Sequence, residues 1–127
     1  MATILLVDDN QANRVLASKL LRARGHEVVE ADAGEAAIAL ARERKPALVL
    51  LDLGLPGMDG WEALRRIRAD EASRAVPVVA VTAHAMVGDR ERALAAGFDG
   101  YMSKPIDAST FGDTVAGFLG PVGGEST

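Results

Sequence analysis

One carboxylate stands where none is expected. The run Leu48-Val49-Leu50-Leu51-Asp52-Leu53 holds a single acid among apolar residues, with Pro46 before it and Gly54 and Pro56 after it. Such a run reads as a strand buried on both faces of a parallel sheet. Aspartate is disfavoured in strands and costly to bury without a partner. Asp52 therefore belongs at the strand's C-terminal end, where open α/β sheets bind ligands. Taken alone, it could equally cap the turn Gly54-Leu55-Pro56-Gly57. Other residues bear on the choice. Asp8-Asp9-Asn10 closes an apolar run over Thr3 to Val7, Thr82 closes one over Val76 to Thr82, and Lys104 follows Gly100 to Ser103. Singly, each has an ordinary reading as a helix cap, a strand residue or a solvated lysine. Jointly, four strand ends deliver acids, a hydroxyl and an amine to one rim.

The elements that must position these groups alternate. A short strand over Glu27 to Ala31 and the Gly100 to Ser103 stretch, the latter an edge, bring the strands to five. The first helix is expected from Gln11 to Arg24, with Ala12, Leu16, Leu20 and Ala23 facing inward and Val15 and Leu21 widening that face. Arg14, Lys19, Arg22 and Arg24 make its polar face, read as solvated, with a partner contact second. Asp32 with Glu35 reads as a capping box for a second helix, Ala33 to Arg44. Pro46 pushes Lys45 out of helical space. Asp59 reads as the N-cap of a third helix, Gly60 to Arg68, with Trp61, Leu64 and Ile67 inward. A fourth is expected over Val87 to Ala96 and a fifth over Asp107 to Leu119. Strands alternating with helices predict a doubly wound α/β fold, a five-stranded parallel sheet in the order 2-1-3-4-5. Its switch point lies between the first and third strands, which end in Asp8-Asp9 and Asp52.

Composition narrows the class. The chain has 127 residues, 49% hydrophobic and 25% charged, enough for one domain with a single core. Residues 1–120 are expected to form that domain and 121–127 a flexible tail. The net charge of −4 argues against direct nucleic-acid binding. There is no cysteine, hence no disulfide and no thiolate metal site. No signal peptide or bilayer-spanning run is visible, so no membrane insertion and a cytoplasmic location are expected.

Three carboxylates in one crevice repel unless something compensates them. A hard cation with oxygen ligands does so, and Mg²⁺ suits a small acidic site that leaves room for water and phosphate. Thr82 and Lys104 opposite that cation make a place for a phosphoryl group. No Walker A loop is present, so nucleotide is not the obvious donor. Asp52 is then the candidate nucleophile, since carboxylates form aspartyl-phosphates.

The segments Ile4-Leu5-Leu6-Val7-Asp8-Asp9-Asn10, Leu50 to Gly60, Val81-Thr82-Ala83 and Tyr101-Met102-Ser103-Lys104-Pro105 resemble the receiver domain of bacterial two-component response regulators. The likeness spans about Thr3 to Leu119. It implies a flavodoxin-like fold in which Asp52 is the phosphoacceptor. It also implies that Asp9, Asp52 and the Gly54 carbonyl ligate Mg²⁺, or Mn²⁺ in its place, with Asp8 acting mainly through water. Thr82 and Lys104 would hold the phosphoryl oxygens, and Ala83 would leave room for them. Thr82 and Tyr101 would form the switch, acting on the surface of the fourth helix, fifth strand and fifth helix, and Lys104-Pro105 would be a cis bond. Gly54 and His84 would tune the lifetime of the phosphorylated state, which is expected to be long.

Implied partners are a histidine kinase or phosphotransfer protein and a downstream protein target, in a module that is not a turnover enzyme. The stretch from Thr82 to Gly100 is similar to single-domain regulators and to receivers of hybrid histidine kinases, from which the chain could be a fragment. Two other classes compete. A small Mg²⁺-dependent phosphatase with an aspartate nucleophile would typically show Asp-x-Asp-x-Thr, whereas Asp52 precedes Leu-Gly-Leu-Pro. A flavin-binding electron carrier would have a Ser-, Thr- and Gly-rich loop where Asp8-Asp9-Asn10 stands.

Overall fold

The computed structural model describes residues 2–83, 87–104 and 106–119. The elements run β1 (Thr3–Val7), α1 (Gln11–Ala23), β2 (Glu27–Ala31), α2 (Gly34–Arg44), β3 (Leu48–Asp52), α3 (Gly60–Ala69), β4 (Val78–Thr82), α4 (Asp89–Ala96), β5 (Gly100–Ser103) and α5 (Phe111–Leu119). All paired strands are parallel, in the order β2-β1-β3-β4-β5. Both the alternation and the predicted order are borne out.

The pleat of the apolar strands sorts side chains between two layers. Leu5, Val7, Val49, Leu51, Val78 and Ala80 pack with Ala37, Ala41, Ala63, Leu64, Ile67, Ala93 and Phe98 of α2, α3 and the α4 region. Ile4, Leu6, Leu48, Leu50, Val79 and Val81 pack with Ala17 and Leu21 of α1 and Phe111 and Val115 of α5. Every residue of β3 and of β4 is buried, which is why neither strand shows alternation in sequence. Trp61 is half-buried and meets Phe98 edge-on, with ring centroids 5.5 Å apart. No helix is long and apolar enough to cross a membrane among the described residues.

Helix ends differ from expectation in several places. Asp59 caps α3 as read, its carboxylate accepting from the Glu62 N–H at 3.0 Å. Lys45 does leave helical space before Pro46, with φ at 43°. The Asp32–Glu35 capping box does not form. Helix α2 starts at Gly34, so Ala33 holds the N-cap position and Asp32 lies one residue too early to cap. Helix α4 starts at Asp89 because Gly88 takes a left-handed conformation, leaving Val87 outside the helix. Residues 107–110 form a turn instead of helix. The Asp107 carboxylate accepts there from the Ser109 N–H and hydroxyl, and α5 begins at Phe111. Strand β4 begins at Val78 because Pro77 cannot donate to the ladder.

The largest correction concerns the face of α1. The Asn10 side chain caps the helix by accepting from the Asn13 N–H, which fixes where its faces fall. Ala17, Ser18 and Leu21 are buried, while Val15 and Leu16 are 58% and 38% exposed. Val15, Leu16, Ala12 and Ala23, all expected inside, face solvent. Arg14, expected in solvent, folds back toward the end of β1.

Gly60 joins α3 to the acceptor strand. Its N–H donates to the Leu53 carbonyl at 3.2 Å, and an added Cβ would lie 2.5 Å from the Asp52 carbonyl oxygen and 2.7 Å from the Leu53 Cα. Only a residue without Cβ fits so close to that backbone. At Gly54 the nearest atom would be 3.7 Å away, an ordinary contact. Gly60→Ala should therefore lose about 2 kcal/mol in denaturant unfolding, as overpacking does, whereas Gly54→Ala should unfold within about 0.5 kcal/mol of the parent protein.

Candidate functional site

Three strands end at one crevice. Strand β1 leads into Asp8, whose N–H donates to the Ala31 carbonyl of β2 at 3.1 Å. Strand β3 ends in Asp52, paired in register with Val81 of β4. Strand β5 leads into Lys104, whose N–H donates to the Thr82 carbonyl at 2.8 Å and so prolongs the β4–β5 ladder. The geometry of the sheet, rather than any loop, thus sets the separation of these groups.

The Lys104 ammonium lies between two carboxylates. Its Nζ is 2.7 Å from Asp8 Oδ2 and 2.9 Å from Asp52 Oδ2. The three side chains are 11%, 7% and 8% exposed. The second oxygen of each acid is held by backbone. The Asn10 N–H donates to Asp8 Oδ1 and the Gly54 N–H to Asp52 Oδ1, each at 2.9 Å. Burial pulls the Lys104 pKa down, but the hydrogen bonds and charges of Asp52 and Asp8 outweigh it and hold the pKa above the usual lysine value. A lysine shifted upward stabilises the fold below its unfolded pKa and loses that contribution only as the pH climbs through the folded value. The ammonium is therefore fully charged at neutral pH, and its stabilising contribution fades only in strong alkali.

Asp9 is exposed at the lip of the crevice. One carboxylate oxygen from each of Asp8, Asp9 and Asp52 lies within 4.8 Å of the others. Three carboxylates against one ammonium leave about two negative charges uncompensated, the amount a divalent cation balances. An all-oxygen donor set without sulfur or imidazole matches a hard ion such as Mg²⁺.

The sheet brings together Asp8, Asp9, Asp52, Thr82 and Lys104, as the sequence led one to expect. Thr82 is buried at the end of β4 and Ala83 beside it is exposed. Gly54 is exposed in the turn after Asp52. Tyr101 sits on edge strand β5, packed against the α2–α3–α4 core layer. Its hydroxyl is the one buried polar side-chain atom without a partner among the described residues. His84, Pro105 and the tail 121–127 lie outside the described residues.

Two residues close to the site were not singled out from sequence. Arg14 Nη1 donates to the Asp8 carbonyl at 2.6 Å, and its Nε is 3.3 Å from Glu30. Once Asn10 is accepted as the cap, Arg14 falls one turn into α1 on the side of the strand ends. That cap was the signal available.

Comparisons with known proteins agree with this geometry. Residues 4–116 match the response regulator receiver domain family. The polar-differentiation response regulator DivK of Brucella ovis is 41% identical over 118 residues, 93% of this chain and 96% of its own. The receiver domain of a sensor histidine kinase from Pseudomonas aeruginosa, solved with a magnesium ion in its active-site cleft, is 37% identical. Its TM-score is 0.84 over 94% of this chain and 98% of that one. The chemotaxis protein CheY4 of Vibrio cholerae has a TM-score of 0.85 at 27% identity, covering 93% of this chain and 98% of that one. On its fold, its strand-end acids and these matches, the chain belongs to the response regulator receiver domain family.

Proposed function

We propose that this chain relays a signal by taking a phosphoryl group onto Asp52 from a phosphohistidine on a histidine kinase or phosphotransfer protein. The observation that carries this reading is the Lys104 ammonium shared by Asp8 and Asp52 in a crevice that Asp9 borders. Asp52 supplies the nucleophilic oxygen. That oxygen bonds to phosphorus as the nitrogen–phosphorus bond of phosphohistidine breaks and the imidazole leaves. Asp8, Asp9, Asp52 and the Gly54 carbonyl are the residues that would hold Mg²⁺, or Mn²⁺ in its place, Asp8 largely through water. Bound there, the ion offsets charge on the phosphoryl oxygens. Lys104 exchanges its contact with the Asp52 carboxylate for a phosphoryl oxygen, Thr82 donates to another, and exposed Ala83 leaves space for them. The chain acts as a signalling module and at most catalyses its own phosphorylation and dephosphorylation. Its setting is the cytoplasm, without direct nucleic-acid binding or membrane insertion.

The readout lies on edge strand β5, the strand that also leads into Lys104. A buried hydroxyl without a partner costs about 1–3 kcal/mol, so the Tyr101 side chain sits in a conformation that a second arrangement can relieve. Movement of Thr82 toward the phosphoryl group biases that choice and remodels the face of α4, β5 and α5 for a downstream protein. Phosphorylation shifts a population only through such differential contacts. Gly54 has no side chain to orient an attacking water, which favours a long-lived phosphorylated state, with His84 as the second residue that tunes it.

The phosphohistidine donor is read as docking along α1. Val15 and Leu16 are exposed, and with Gln11, Ala12 and Lys19 they line a shallow groove. The strip starts at the Asn10 cap, directly beside the crevice, so a donor helix laid on it brings its histidine to Asp52.

Incubation with acetyl phosphate and Mg²⁺ should add one phosphate by intact mass. Asp52→Asn and excess chelator should each abolish the addition, and Asp9→Ala should lower its rate by at least about 100-fold. Labelling of Asp52→Asn equal to the parent protein would contradict the assignment. Val15→Glu should slow transfer from a phosphohistidine-bearing phosphotransfer protein by about 10-fold, the loss of one good interface contact. Labelling of the same variant by acetyl phosphate should be unchanged. Equal transfer by variant and parent would remove α1 from the docking face.

A further inference from the structure

The geometry points to Arg14 as a positioning residue for the metal site, acting through the peptide that joins Asp8 to Asp9. This rests on the Mg²⁺ reading above. The carbonyl that Arg14 Nη1 holds at 2.6 Å belongs to that peptide. The peptide is planar, so fixing its oxygen fixes the direction in which the chain leaves toward Asp9. Asp8 is already held from two other sides, by the Asn10 N–H on Oδ1 and by Lys104 on Oδ2. Asp9 is exposed, and its carboxylate makes no hydrogen bond or ion pair with the described residues. Of the three acids, Asp9 is thus the one whose approach depends most on how this peptide is set.

Arg14 is equipped for the task. Its side chain is only 17% exposed, and Glu30 on β2 receives its Nε. Glu30 precedes Ala31, whose carbonyl accepts the Asp8 N–H. One guanidinium therefore ties the first turn of α1, the end of β1 and the end of β2 around the start of the acidic cluster. A planar guanidinium with several fixed donors can make both contacts at once, which an ammonium cannot do in the same geometry. Glu30 also offsets the charge of Arg14. Loss of the Arg14 charge by itself favours a cation, so weaker binding without Arg14 reports the loss of orientation.

The test is Mg²⁺ binding to the unphosphorylated protein by titration calorimetry, with thermal unfolding in chelator measured alongside. Arg14→Gln should weaken Mg²⁺ binding by about 10-fold, the lower end of what outer residues contribute to metal affinity. Arg14→Lys keeps a donor for the Asp8 carbonyl but loses the simultaneous tie to Glu30, and its affinity should fall between those of the parent protein and Arg14→Gln. Val115→Ala, in the α1–α5 core layer, should lose thermal stability without losing Mg²⁺ affinity. Unchanged or tighter binding by Arg14→Gln overturns the proposal. So does an equal loss in Val115→Ala, because general loosening would then suffice. If Arg14→Gln does not fold, Glu30→Gln decides in its place, and an unchanged affinity overturns the proposal. A parent protein that binds no Mg²⁺ overturns the metal reading itself and this proposal with it, whereas binding by the parent and by Arg14→Gln alike overturns this proposal alone.

Discussion

Everything near the crevice follows from a single electrostatic constraint: two nearly buried carboxylates, Asp8 and Asp52, share the ammonium of Lys104. A buried ion pair of this kind is poor evidence for stability. Desolvating its charges costs several kcal/mol per ion, and well-packed apolar residues are often as stable in its place. Its retention at the one place where three strand ends meet makes sense as a site held ready for a substrate. Lys104 occupies the position of a counter-charge, and in the proposed function it passes from carboxylate to phosphoryl oxygen without leaving the crevice. The remaining negative charge calls for a divalent ion.

Meeting that constraint requires accurate placement of β1, β3 and β5 relative to one another. The parallel ladders set β1 and β3. Lys104 depends on β5, a four-residue edge strand, and therefore on what holds that edge. Asp99, just before β5, accepts from the Val78 N–H and from Arg68, both at 2.8 Å. Arg68 also donates to the carbonyls of Val76 and Gly97. One arginine of α3 thus gathers the entries to β4 and β5. Phe118 of α5 closes the other side, lying so near Gly100 that a Cβ there would overlap its ring. The edge that positions the lysine is also the edge that carries Tyr101, so the site and the proposed readout share their supports.

Most of this was legible in the sequence, for physical reasons that differ by element. The buried strands announced themselves as unbroken apolar runs, and right-handed crossovers left the sheet order almost no freedom. The strand-end acids, hydroxyl and lysine, each ordinary alone, were visible because one parallel sheet brings their strand ends to a single rim. Where the reading failed, a local signal had two solutions. Helix α1 has apolar residues on most sides, so periodicity alone could not choose between Leu16 and Ala17 as the inward position; the Asn10 cap chose Ala17. The Asp32–Glu35 spacing fits a capping box, but α2 starts one residue later than Asp32 requires. The Asn10 cap tells which way Arg14 faces, but its tie to the Asp8 carbonyl joins a side chain to backbone across a turn, and no spacing rule reveals that contact itself.

The central claim is that Asp52, and neither of the other two acids, receives the phosphoryl group. An acyl phosphate is reduced by borohydride to an alcohol, which turns the modified aspartate into homoserine and marks it permanently. Peptide mapping of phosphorylated protein after that reduction should find homoserine at position 52 alone. Homoserine at Asp8 or Asp9, with Asp52 intact, would contradict the account.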